Sequence, residues 1–292
     1  MPFRTAIKKY LPILLSVFMF HFCVKPKTIR RPLAIKKINN WVCVYNDRTA
    51  PADLKKFDLA VLDADAHPDL QGLKNSQTVL VGYVSLGEVG TYRWYWPQIA
   101  NKPWVVQKNP NWDSYFIDVR APEWQQWLIS KIIPNVLAQG FDGIFLDTID
   151  NAEYLEKYHP GIKYPGAQQS MIALIRAIRK RFPDIFIIAN RGFSLLDEMG
   201  RDIDGIVAES LFTTILFQAE QGMKLRPPSE YQPVVEQLVA AQKKFNLLIF
   251  TLDYLAPENQ QAIQSIIQKA RNLNFVPYIS TAKLDSVFYF TL

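Results

Sequence analysis

Asn46, Asp63, Glu88, Asp147, Asn190, Glu209 and Asp253 each stand at or just beyond the end of a short apolar run. Any one of them is better read as a cap or turn residue than as a functional group. Their repetition is harder to explain that way: if the run ends converge, they build an acidic bowl. Asp147, in Phe-Leu-Asp-Thr-Ile-Asp, and Glu209, in Ala-Glu-Ser, each close an apolar run. Burial there favours the neutral acid, so one of the two can hold a proton at neutral pH. Two carboxyls flanking a bond are the equipment of glycoside hydrolysis: one protonates the leaving oxygen while the other attacks or activates water. The same carboxylates also suit a hard cation such as calcium or magnesium, bound by oxygen ligands.

Other chemistries lack their residues. The three histidines are His21, His67 and His159, and no HExxH, Cys/His cluster or Gly-x-Ser-x-Gly elbow occurs. No GxGxxG or GxxxxGK[ST] phosphate loop occurs either. No cofactor and no dedicated metal site are expected. The formal net charge of +6 comes from residues 1–40, which carry nine Lys and Arg and no acid; the remainder holds 24 basic against 27 acidic residues. The basic excess is therefore not a folded patch, which argues against a nucleic-acid partner.

The elements that must position these residues alternate in type. Short apolar runs at 41–46, 59–63, 79–86, 143–147, 185–190, 205–209, 247–253 and 275–280 read as eight strands buried on both faces. Helical spacing recurs at 122–138, 166–181, 231–245 and 257–272. This α/β alternation predicts a parallel sheet with crossover helices, and eight strands predict a (β/α)8 TIM-type barrel whose strand C-termini open on one face. The insert between strands 3 and 4 holds six of the seven Trp. Trp124 and Trp127, at i, i+3, read as the core face of a helix. Trp94 and Trp96 are equally balanced between core and sugar-stacking roles.

Residues 1–24, with Lys8 and Lys9 before an apolar run, read as a signal peptide or N-terminal anchor, placing the protein outside the cell or in the envelope. Residues 25–40 read as a basic linker and 41–292 as one barrel domain. Any membrane association is expected only through the N-terminal segment. With the leader removed, Cys43 has no cysteine partner. A monomer is expected.

Several blocks together resemble a known family. Gly82-Tyr83-Val84-Ser85-Leu86-Gly87-Glu88 with Tyr92-Arg93 is similar to the third-strand motif of the endo-α-1,4-polygalactosaminidases, glycoside hydrolase family 114. Tyr115–120 with Pro122 and Trp124, the block 140–150 ending in Asp147-Thr148-Ile149-Asp150, Asn190 and Ala208-Glu209-Ser210 follow in the same order. The resemblance spans roughly residues 41–282. It implies a TIM-type barrel that hydrolyses α-1,4-linked galactosamine polymers, with Asp147 and Glu209 as the catalytic pair and a retaining outcome. It further implies cleft positions at Asp63, Glu88, Arg93, Asp118, Asp150 and Asn190; Tyr83, Trp94 and Tyr254 join them as substrate-binding candidates. An acidic bowl would suit a partly deacetylated, cationic sugar. The chain departs from the pattern at Arg191, where many relatives are expected to carry a second Asn, and in the long stretch 212–228 after Glu209. A non-catalytic polysaccharide-binding barrel and a cation-dependent hydrolase are the alternative readings.

Overall fold

The computed structural model describes residues 37–74, 76–215 and 223–290. The leader and most of the linker lie outside the described residues. Eight parallel strands form one sheet in chain order: β1 (Trp41–Val44), β2 (Leu59–Leu62), β3 (Val79–Ser85), β4 (Gly143–Asp147), β5 (Phe186–Asn190), β6 (Gly205–Glu209), β7 (Leu248–Tyr254) and β8 (Val276–Ser280). Helices follow the strands and cover the outside, including Ala167–Arg181, Pro228–Phe245 and Gln260–Asn272. The result is a nearly closed (β/α)8 barrel. At its seam the Trp41 indole donates to the Val276 carbonyl (3.0 Å), and the Tyr45 N–H donates to the Leu284 carbonyl (2.7 Å).

Buried apolar runs formed the strands, as their composition predicts: β1, β2 and β5 are buried along their whole length. Barrel packing also starts earlier than residue 41. Ile38 is buried, and Asn39 and Asn40 bond to the Lys56–Asp58 turn, so 38–40 belong to the barrel and not to the linker. The helix read over 122–138 is continuous but widens to i→i+5 bonding at Leu128–Ile132. Pro134 supplies the reason: it has no N–H, and its ring crowds the preceding turn.

Register decides what faces the axis. Side chains alternate along a strand, and paired residues in parallel strands share a face. Ser85 pairs with Asp147, Ile188 with Phe145 and Gly205, Asn190 with Val207, and Glu209 with Leu252. Tyr83, Asp147, Asn190, Glu209 and Tyr254 therefore share one parity and point inward. Deeper on that face, Trp41 packs on Phe250 (5.2 Å between centroids) and Tyr278 (5.9 Å), filling the barrel floor.

The insert after β3 carries a three-stranded antiparallel sheet of Glu88–Gly90, Ser114–Ile117 and Val105–Lys108. Trp104 and Trp124 are buried beneath it, and their indoles donate to Glu123 and to the Leu86 carbonyl. A hairpin, Thr213–Ile215 with Met223–Leu225, follows β6.

Candidate active site

The strand C-termini open into a cleft of about 450 Å³, and its lining includes Asp147, Glu209 and Asn190. The last residues of β4, β5 and β6 are Asp147, Asn190 and Glu209, and each is followed by a non-glycine residue in left-handed backbone: Thr148 (φ 59), Arg191 (φ 57) and Ser210 (φ 55). Such residues cost about 1–3 kcal/mol each and gather at functional sites. The Arg191 and Ser210 N–H groups still donate to Val207 and Leu252 on the neighbouring strands, so the chain leaves the barrel only after presenting its last inward side chain.

The two carboxyls share a donor. Asn190 Nδ2 donates to Asp147 Oδ1 at 2.9 Å and to Glu209 Oε2 at 2.6 Å. These two oxygens are thus no more than about 5.5 Å apart. Each carboxyl also accepts from a tyrosine: Tyr83 donates to Asp147 Oδ2 (2.7 Å) and Tyr254 to Glu209 Oε1 (2.6 Å). Burial raises the proton affinity of Asp147, while Tyr83, Asn190 and the Thr148 N–H favour its ionised form. Burial also raises Glu209, and here the Asp147 charge adds to the effect; Tyr254, Asn190 and Arg191 oppose it. Two buried carboxyls this close favour one shared negative charge over two. Burial and the adjoining carboxylates push the Tyr83 and Tyr254 hydroxyls well above their ordinary range, so both stay donors.

Around this pair most acidic side chains are already engaged. Arg93, itself buried, donates to both oxygens of Asp63 (2.9 and 2.7 Å) and to Asp65 (3.0 Å). Its guanidinium also lies over the Tyr83 and Tyr92 rings. Glu88 accepts from Asn109, Asn151 and Ser114. Asp150 pairs with Arg191 at 2.9 Å. The acidic bowl expected from the strand ends is largely compensated by these internal partners.

The structure brings Asp63, Tyr83, Glu88, Arg93, Asp147, Asp150, Asn190, Glu209 and Tyr254 into the one cleft. Two candidates lie outside its lining. Asp118 holds Arg120 through two bonds of 2.8 Å, and so fixes its own loop. Trp94 is 44% exposed and packs edge-on against Tyr95, away from the lining, while Trp96 stacks on Tyr115. The cleft instead takes its exposed aromatics from Tyr92 (69% exposed) and Trp112 (53%). Tyr45, two residues beyond Cys43 on the same inward parity, also lines it. Strand alternation could have found Tyr45; no sequence signal separates Trp112 from the structural tryptophans. Among the described residues no cluster of three or more His, Cys, Asp or Glu has the geometry to hold a metal ion.

A family model described as glycoside-hydrolase family GH114 matches residues 26–291. An uncharacterized protein of Thermotoga maritima is 27% identical over 276 residues, covering 85% of this chain and 82% of its own. The uncharacterized protein MJ1477 of Methanocaldococcus jannaschii is 26% identical over 240 residues, 75% of this chain and 66% of its own. Among solved structures, the glycoside hydrolase domain of PelA from Pseudomonas aeruginosa is similar with a TM-score of 0.75 at 24% identity, over 86% of this chain and 98% of that one. Aspergillus fumigatus Ega3, in complex with galactosamine, is similar with a TM-score of 0.63 at 13% identity, over 85% and 92%. Both structural likenesses bear on the fold.

Proposed function

Because the chain belongs to glycoside-hydrolase family GH114, we propose that it cleaves α-1,4-linked galactosamine or N-acetylgalactosamine polymers from within, with Asp147 as nucleophile and Glu209 as acid and base. One observation carries this reading: a single amide nitrogen, Asn190 Nδ2, bonds both carboxyls. Retaining enzymes space their carboxyls about 5–5.5 Å apart, and inverting ones about 6.5–9.5 Å, to admit a water. An upper limit of about 5.5 Å between the bridged oxygens supports the retaining geometry. In the first step an Asp147 oxygen bonds the anomeric carbon, the glycosidic C–O bond breaks, and the Glu209 proton goes to the leaving oxygen. In the second, Glu209 takes a proton from water, whose oxygen displaces Asp147. Asn190 and Tyr83 hold Asp147 ionised and aimed, and Tyr254 aims Glu209. The open cleft, with aromatic rings at its rim, suits a chain that passes through it.

Asp147→Asn and Glu209→Gln are expected to lower cleavage of a galactosaminogalactan-type polymer at least about 1,000-fold, with Tm preserved. Chain length before and after incubation reads this directly. Full activity in either variant refutes the assignment. Tight binding by wild type without shortened chains instead selects a polysaccharide-binding barrel. Activity that survives a chelator weighs against the cation-dependent alternative.

A further inference from the structure

Glu209 and Tyr254 are the last residues of β6 and β7, and their side chains meet at 2.6 Å. The ladder between these strands stops too early to hold both. Glu209 pairs with Leu252, and no β6 residue remains opposite Tyr254. The Ser210 N–H still donates to the Leu252 carbonyl at 2.8 Å, but Ser210 then turns into left-handed backbone (φ 55). Tyr254 is buried, and a buried N–H without an acceptor is costly. Thr213 supplies the acceptor: its Oγ1 takes the Tyr254 N–H at 2.9 Å.

That hydroxyl is itself fixed. Having accepted from Tyr254, Thr213 Oγ1 donates its own hydrogen to Asp253 Oδ1 at 3.1 Å. The same carboxyl oxygen accepts from the Phe212 and Thr213 N–H groups at 2.7 and 2.9 Å. From the other side Arg226 Nη1 donates to the Ser210 and Leu211 carbonyls (2.9 and 3.4 Å), and the Arg226 main-chain N–H donates to the Phe212 carbonyl (2.8 Å). The segment Ser210 to Thr213 is thus clamped between a carboxyl on β7 and a guanidinium. Asp253 and Thr213 are fully buried, and neither lines the cleft. Asp253 Oδ2 has no hydrogen-bond partner among the described residues. A buried carboxyl with one oxygen unpaired is an expensive way to close a turn and calls for a reason.

We propose that Thr213, oriented by Asp253, is a positioning residue for Glu209: it extends the ladder past the end of β6 and so holds the Tyr254 hydroxyl against the Glu209 carboxyl. This rests on the glycosidase reading above and deepens it.

The test measures kcat and KM on one α-1,4-linked galactosamine oligomer, with Tm beside them. The proteins are wild type, Thr213→Val, Thr213→Ser, Asp253→Ala, Tyr254→Phe and the Thr213→Val/Tyr254→Phe double variant. Thr213→Val and Asp253→Ala are expected to lower kcat about 10- to 100-fold and to change KM less than about threefold, because a misplaced catalytic group costs rate more than binding. Thr213→Ser keeps the hydroxyl and should recover most of the lost kcat. Tyr254→Phe should lose about as much as Thr213→Val. The double variant should lose little more than either alone, because both act through one bond. Unchanged kcat in Thr213→Val, or losses that multiply in the double variant, overturns this inference and leaves the reaction reading standing. Val matches Thr in shape, so Thr213→Val decides the matter even if Asp253→Ala fails to fold. Failure of wild type to cleave the oligomer overturns the reaction reading and this inference together.

Discussion

Removal of the Asn190 amide is the sharpest perturbation of the pair, because it breaks two bonds of 2.9 and 2.6 Å without touching either carboxyl. The bond to ionised Asp147 is charge-assisted, and such bonds are worth about 1.5–3 kcal/mol. That is about 1–2 units of proton affinity. Asn190→Ala should therefore raise the acid limb of kcat/KM by about 1–2 pH units and lower kcat at the optimum about 10- to 100-fold, if the same energy is lost from the transition state. Asn190→Asp replaces the shared donor with a third carboxyl in contact with the other two, and should be worse at neutral pH. Stability at neutral pH should fall by up to about 1.5–3 kcal/mol in Asn190→Ala, because two buried carboxyls lose a donor, with a partial offset from removing Asn190 Oδ1, which is buried without a protein partner. The assay is a pH series of initial rates on one oligomer, with Tm measured beside it. An acid limb that stays in place, with kcat within about threefold of wild type, would refute the bridging argument.

Three further outcomes follow from other parts of the barrel. Burial pushes Asp253 from 3.8 up to about 7; the folded state holds the proton longer, so this group's stability contribution is full below about pH 4 and is lost as pH rises to 7, by about 4 kcal/mol in all. Asp253→Asn keeps the acceptor for the Phe212 and Thr213 N–H groups and should flatten that slope in urea denaturation between pH 4 and 8; an unchanged slope refutes it. A Cβ at Gly143 would meet the Phe186 carbonyl on the neighbouring strand, so Gly143→Ala should lower stability by at least about 1–3 kcal/mol, seen as a fall in Tm. Trp112→Ala removes an exposed ring from the cleft rim; it should raise KM several-fold for long oligomers, about 1 kcal/mol of apolar contact, and leave short ones unaffected.

The eight strands were legible because parallel strands buried on both faces must be written as apolar runs, and Gly143–Asp147 and Gly205–Glu209 match their runs residue for residue. Helix 122–138 was legible in extent but not in its widened turn at Leu128–Ile132, which depends on where Pro134 falls in the ladder. Asp147 and Glu209 were legible as strand-end acids, and their convergence follows from barrel closure. Their partners were only partly legible. Tyr83 and Tyr254 are recognised by parity once strand register is known. Asp118 looked equally suited to the cleft, but its nearest donor is Arg120, two residues away.

The sequence by itself determined which segments are strands, that their polar ends would gather on one face, and that carboxyls would dominate that face. Only the tertiary structure decided which of those carboxyls remain available. Asp63 is closed by Arg93 from 30 residues away, and Glu88 by Asn151 from 63. Asp147 and Glu209 are joined through Asn190, 43 residues from one and 19 from the other. Periodicity reports which way a side chain points, because that is a local property of the backbone. Whether a charge meets a partner depends on barrel stagger and on the path of the insert, which are set by packing across the whole chain.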